Sequence, residues 1–314
     1  MRRSRPGGEE LDLRQLFSIL WQGRWIIAGI GFAGTLIALI AVLILPNVYR
    51  SEAILAPNQD DGASGLSALA TQFGGLAALA NFDLGARGSQ DKTALGLEIL
   101  RSRKFISDFI DRHDLLVPVM AAEDWDMATG ELIIDGSIYD VDEGEWVRKV
   151  RPPKKTVPSL QEASAEFIKN NLYVMQDKNT GFVTVAVEHY SPELSRQWVD
   201  WLVRDINAIV MQDEVDEAQQ AINYLNSQIA ATSFADLKVV FFELIEEQTK
   251  TMMLANVTDE YLLKTVDPAV VPERKAKPQR ALILIASALA SGIVGIVVVL
   301  LMSSIFPRRD SAAD

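Results

Sequence analysis

The chain has no cysteine, only two histidines, and two long stretches without a single charge. Each absence excludes something. Without cysteine there is no disulfide framework and no thiol or mixed histidine/cysteine metal site. His113 and His189 are far apart in sequence and form no ligand pair. There is no GxxxxGK[ST] phosphate loop, no GxSxG elbow and no HExxH motif, so the familiar ATPase, hydrolase and zinc-protease signatures are missing. The net charge of -12 argues against a nucleic-acid partner. No catalytic residue, cofactor or metal is expected, and the chain is not read as an enzyme.

The charge-free stretches are residues 25–49 and 281–306. A helix needs roughly 20 apolar residues to cross a bilayer. Residues 25–45 predict a first transmembrane helix and residues 281–303 a second. The first run exceeds the roughly 7–15 apolar residues of a cleaved signal peptide. Arg2, Arg3, Arg5, Arg14 and Arg24 precede it and only Arg50 follows closely, which predicts a cytoplasmic N-terminus, residues 1–24. Two spans then return residues 304–314 to the cytoplasm as a tail. Arg274, Lys275, Lys277 and Arg280 run against this orientation, but the first span usually dominates. The intervening 46–280 carries 23 Lys+Arg and 37 Asp+Glu, and is long enough for its own core.

Within that domain, Val48–Ala56 reads as a strand leaving the first span. Residues 62–88 form a Gly/Ala/Ser/Leu tract, read either as a loop or as a closely packing helix. Apolar residues from Leu95 to Ile110 recur at helical spacing, with Pro118 expected to close the region. A small hairpin is expected around Glu131–Val150. Ser159-Leu-Gln-Glu162 is a capping box. Strands are expected at Leu172–Gln176 and Phe182–His189, with Val183, Val185 and Val187 on a buried face and Thr184, Ala186 and Glu188 on a small or polar one. Ser191-Pro192-Glu193 opens a helix with no proline or glycine before Pro268. It is read as long helices at about 192–231 and 234–255, forming a helical hairpin. An extended return, Tyr261–Val271, follows, and Pro268, Pro272 and Pro278 punctuate the approach to the second span. The fold class is thus an α+β domain with a long helical hairpin, anchored by N- and C-terminal transmembrane helices.

Motifs that invite chemistry have plainer readings. Gly29-Ile-Gly31-Phe-Ala-Gly34 matches a dinucleotide fingerprint but lies inside an apolar span. Asp140-Val-Asp142-Glu-Gly144-Glu145 misplaces the glycine of a calcium loop and reads as an acidic turn. What remains is architectural. Ser287, Ser291 and Gly295 recur every four residues, with Ala288 and Gly292 beside them, and Gly34 and Ala38 offer a similar face on the first span. Small residues permit close helix approach in lipid. These positions are read as packing between the two spans or contact with a partner.

The layout resembles the Wzz-type chain-length determinants, the polysaccharide co-polymerase family of Gram-negative inner membranes. The resemblance rests on Leu11-Asp-Leu-Arg-Gln-Leu-Phe17 before the first span and Tyr49-Arg-Ser-Glu-Ala53 after it. It also rests on the Gly/Leu/Ala tract, Ile99-Leu-Arg-Ser-Arg-Lys-Phe105, Ser191-Pro-Glu-Leu194 and Ile222-Asn-Tyr-Leu-Asn226. Val266-Asp-Pro-Ala-Val-Val-Pro-Glu273 is its most specific part. The resemblance implies a homo-oligomeric ring with a periplasmic α+β base and long helices. It implies control of O-antigen or lipopolysaccharide chain length with a Wzy-type polymerase and lipid-linked polysaccharide. Larger relatives add a cytoplasmic tyrosine kinase; with Phe306-Pro-Arg-Arg-Asp310 near its end, this chain is closer to the short form. A co-polymerase for exopolysaccharide or capsule polymerisation and export is the alternative.

Overall fold

The structure, a computed structural model, describes residues 20–58 and 88–305. The expectations for residues 1–19, for nearly all of the Gly/Ala tract at 62–88 and for 306–314 lie outside the described residues. Two units emerge, Met1–Pro46 with Lys277–Asp314, and Asn47–Ala276.

The first unit holds α1 (Arg24–Ile44) and α8 (Arg280–Ile305). Both are long and apolar enough to cross a membrane. α1 ends where Pro46 removes a donor, with the Leu45 N–H closing onto Ala41 O at 3.3 Å. Most of the large apolar side chains on both helices point outward, Phe32 and Leu289 among them. That is the distribution lipid permits and water does not. The Arg24 guanidinium lies over the rings of Trp21 and Trp25, an aromatic and cationic grouping suited to a membrane interface.

The second unit is built on a wholly antiparallel path of strands, β6-β7-β1-β8. These are β1 (Val48–Pro57), β6 (Leu172–Gln176), β7 (Val183–His189) and β8 (Leu263–Asp267); β9 (Lys275–Lys277) also pairs with β1. β1 lies between β7 and β8, and its alternate residues Tyr49, Ser51, Ala53 and Leu55 line one face and are all buried. Its register sets Ala53 opposite Val185 and Ile54 opposite Asp267. The core lies on one sheet face, where Val183, Val185 and Val187 meet Phe105, Phe109, Phe167 and Trp198. The other face is less open than the alternation of β7 suggests: Ala186 and Glu188 are buried too. Tyr173 pairs across from Ala186, and Arg50, opposite Glu188, spreads its guanidinium over the Tyr173 ring at 5.2 Å.

The helical layers follow their caps. α2 (Gly88–Leu100) stops at Ser102, whose Oγ accepts the Phe105 N–H and starts α3 (Arg103–Arg112). Pro118 does not end this region. It sits within a short α4 (Leu116–Met120), in the first turn, where its missing N–H costs no helical bond. Instead of a single hairpin, 122–146 makes two: β2 (Ala122–Trp125) with β3 (Leu132–Ile134), and β4 (Tyr139–Asp140) with β5 (Glu145–Trp146). The second turns at Asp140, whose carboxylate accepts the Asp142 and Glu143 N–H groups, and at Gly144, with φ +69. Ser159 caps α5 (Leu160–Glu166), which runs into a π-helical turn at Phe167–Asn171.

The Ser191 cap and Pro192 at the first position open α6 (Pro192–Ala231), a 40-residue helix. Its first half is core: Trp198, Leu202 and Ile206 are fully buried. Among the described residues its second half packs chiefly on α7 (Ala235–Val257), with Lys92 of α2 reaching Glu214 at 2.7 Å, and Ile222, Leu225 and Ile229 are half-buried. The inner face of α7 is Phe241, Ile245, Gln248, Met252 and Ala255, while Leu237 and Leu244 are exposed. Two helices alone bury one narrow stripe each, too little to cover a broader apolar face.

Candidate functional site

Gly34, Ser291 and Gly295 lie where α1 and α8 meet. The helices run in opposite directions, and each four-residue step along α1 matches a step back along α8. Gly23 faces Val299, Ile27 faces Gly295 and Gly31 faces Ser291. A Cβ added to Gly34 would stand 2.5 Å from Ser291 Cβ, and one added to Gly295 would stand 3.0 Å from Ile27 Cα. A side chain at Gly34 would force Ser291 to shift, and one at Gly295 would press on the Ile27 backbone, so both glycines hold the two helices in close approach. Ser291 Oγ returns its proton to Ser287 O at 2.7 Å and lies 3.3 Å from Gly31 O across the interface. This satisfies a hydroxyl that would otherwise be unpaired in an apolar medium. Ala38 and Ser287 are half-buried, while a Cβ on Gly29 or Gly292 would touch nothing within 4 Å. Gly23, Ile27 and Val299 belong to this interface although the small-residue pattern did not single them out. Extending the period of four from Ser291 and Gly295 reaches Val299.

In the second unit, segments far apart in sequence converge on β1. Ser51 Oγ donates to Val270 O at 2.8 Å, so Tyr49-Arg-Ser-Glu-Ala53 is clasped by Val266–Glu273. Pro268 and Pro272 bracket Ala269, which enters the core, and exposed Val270 and Val271. Pro278, in the first unit, accepts the Arg280 N–H at 2.9 Å as α8 begins.

Asn207 holds the return strand. Its Oδ1 accepts from Leu262 N at 2.8 Å and Leu263 N at 2.9 Å, and its Nδ2 donates to Leu263 O and Val203 O, each at 3.0 Å. The signal for it was a lone carboxamide beside Ile206 on the buried stripe of α6. Trp201 was also passed over. Its ring stacks on His113 at 4.2 Å, His113 Nε2 lies 3.1 Å from Asp205 Oδ2, and Arg112 reaches the same oxygen at 2.8 Å. His189, the other histidine, is buried against Trp198 and held below its ordinary range, to about 4, chiefly by loss of hydration. Glu162 accepts both guanidinium nitrogens of Arg148, with Lys154 2.9 Å away, and these cations hold its carboxyl down to about 2. Among the described residues, no group of three His, Asp or Glu side chains converges as metal ligands would.

Residues 9–113 match the family model described as chain length determinant protein, Wzz. Among solved structures, a full-length bacterial polysaccharide co-polymerase is similar, with 15% identity and a TM-score of 0.37 over 96% of this chain and 100% of that one. A fragment of WzzB, a polysaccharide co-polymerase from Salmonella Typhimurium, is similar with 10% identity and a TM-score of 0.37, over 74% of this chain and 100% of that one. No curated protein matches the chain. The matched stretch contains α1, the central strand β1 and the helices down to His113, and over those residues the chain is similar to the Wzz-type chain length determinants.

Proposed function

We propose that the protein regulates the length of a surface polysaccharide, the O-antigen of lipopolysaccharide, as a homo-oligomeric scaffold of the bacterial inner membrane. It acts with a Wzy-type polymerase on lipid-linked polysaccharide and carries out no bond-making chemistry itself. Residues 1–24 and 304–314 face the cytoplasm, the helices near 25–45 and 281–303 cross the membrane, and 46–280 is periplasmic. The observation that carries the reading is the chain-length-determinant match over residues 9–113, in a chain with two apolar helices bracketing a mixed helix and sheet domain. The five N-terminal arginines support the orientation. The small-residue contact between α1 and α8 supports a paired anchor that a partner in the membrane meets as one surface. Deleting the gene and resolving the lipopolysaccharide on a gel tests the proposal. A broadened ladder restored by the intact gene is the expected result, and an unchanged ladder with an altered capsule or secreted polysaccharide would transfer the role to that polymer.

A further inference from the structure

Two cavities lie beside α6, about 410 Å³ and about 290 Å³ in volume, and share Asp200 and Arg204. They are two ends of one open cleft between α6 and the stretch 259–271. Each volume is near the lower end of the range, about 300–1,000 Å³, that small-molecule sites occupy. The larger end contains Trp201. His113 stacks on one side of this indole with only 9° between the planes, and the Asp205–Arg112 pair fixes the imidazole. The ring is thus held in one orientation before any ligand arrives. Among the described residues, the Trp201 indole N–H, the Gln197 carboxamide and the Arg204 guanidinium make no bond within the chain. Arg196 is engaged with Asp200 at 3.2 Å.

The charges narrow the ligand. At the Trp201 end Glu193 and Asp200 offset Arg196 and Arg204, and at the other end Asp259 and Glu260 add negative charge. A phosphate or an acidic sugar would be repelled along half the cleft. An apolar ligand would strand its many donors and acceptors. A neutral polyhydroxylated ligand suits it: hydroxyls both give and take hydrogen bonds, and one face of a pyranose ring presents C–H groups to an aromatic plane. We propose that this cleft binds neutral saccharide units, with Trp201 as the stacking platform and Gln197 and Arg204 as hydrogen-bonding contacts. The proposal rests on the polysaccharide role above and gives that role a point of contact with the polymer.

The test uses the full chain in a detergent without a sugar headgroup. It is titrated with the source strain's own surface polysaccharide, freed of lipid by mild acid. Arg204→Gln and Trp201→Ala are expected to weaken binding about tenfold or more, while Trp201→Phe retains most of it. Arg204 is exposed, so its variant reads the cleft even if Trp201→Ala fails to fold. The same variants, returned to the deletion strain, are expected to shift the modal polysaccharide length. Binding equal to the parent in Arg204→Gln or in a folded Trp201→Ala, or no binding by the parent, overturns the saccharide cleft. So does a change confined to self-association, which would assign this face to protein contact. If deletion alters polysaccharide length while these variants complement fully and bind as the parent does, the cleft falls and the chain-length role stands. If deletion alters nothing, that role falls, and the titration judges the cleft separately.

Discussion

Mild acid should destabilise the unit Asn47–Ala276 through His189 before most carboxylates titrate. Its Nε2 lies 3.3 Å from Pro118 O, an acceptor, so Nε2 carries the proton; Nδ1 then accepts the Ser191 N–H at 3.1 Å. The neutral ring satisfies both contacts. A second proton would aim a donor at the Ser191 N–H, at the positive end of α6, in a site only 3% exposed. Burial accordingly pushes the imidazole from 6.5 down to about 4. A depressed histidine contributes stability that is complete above pH 6.5 and is lost as pH falls toward 4, because the unfolded chain takes up the proton first. At about 1.4 kcal/mol per pH unit, the loss is about 2 kcal/mol by pH 5. The assay is thermal or denaturant unfolding of the full chain between pH 7.5 and 5, beside His189→Asn. Asparagine keeps an acceptor for Ser191 and does not titrate, so the variant should be weaker at pH 7.5 by about 1–2 kcal/mol but flatter with pH. Parallel pH profiles for parent and variant would refute the argument.

Asn207→Leu strips the partners from Leu262 N, Leu263 N and Leu263 O in a buried place; it should cost about 3 kcal/mol or more in unfolding experiments, and a loss below 1 kcal/mol would contradict the clasp. In the membrane, Gly34→Val should destabilise the paired spans by about 1–3 kcal/mol whereas Gly292→Ala, which meets nothing within 4 Å, should be neutral; melting in lipid nanodiscs compares them, and equal effects would remove the close approach. Glu162→Gln should lower stability by about 1–2 kcal/mol near neutral pH and by little near pH 2, because a carboxyl held down to about 2 contributes above its unfolded value of 4.5 and loses that contribution as pH falls through 2. Equal deficits at both pH values would assign the effect to something other than the Arg148–Lys154 pairing.

Local patterns carried much of this architecture. Ser191-Pro192 starts α6 where a cap and a proline belong, and the absence of glycine and proline lets it continue for 40 residues. The Ser159 cap is short-range chemistry and forms, its Oγ accepting the Glu162 N–H, whereas the reciprocal half of the capping box does not, because Arg148 and Lys154 take the Glu162 carboxylate. Pro118 misled because proline stops a helix only when its N–H is needed, and in the first turn it is not. The burial of Ala186 and Glu188 was hidden because side chains from β1 and β6 cover that face.

The sequence alone determined which stretches are apolar and uncharged, where helices and turns begin, and which metal and thiol chemistries are absent, since each depends on composition or on neighbours a few residues apart. Only the tertiary structure decided that Ser51 meets Val270, that Asn207 grips Leu262 and Leu263, and that His113 backs Trp201 across 88 residues of chain. Those contacts depend on how strands and helices stack after loops close. Pairing across such distances leaves no mark in local periodicity.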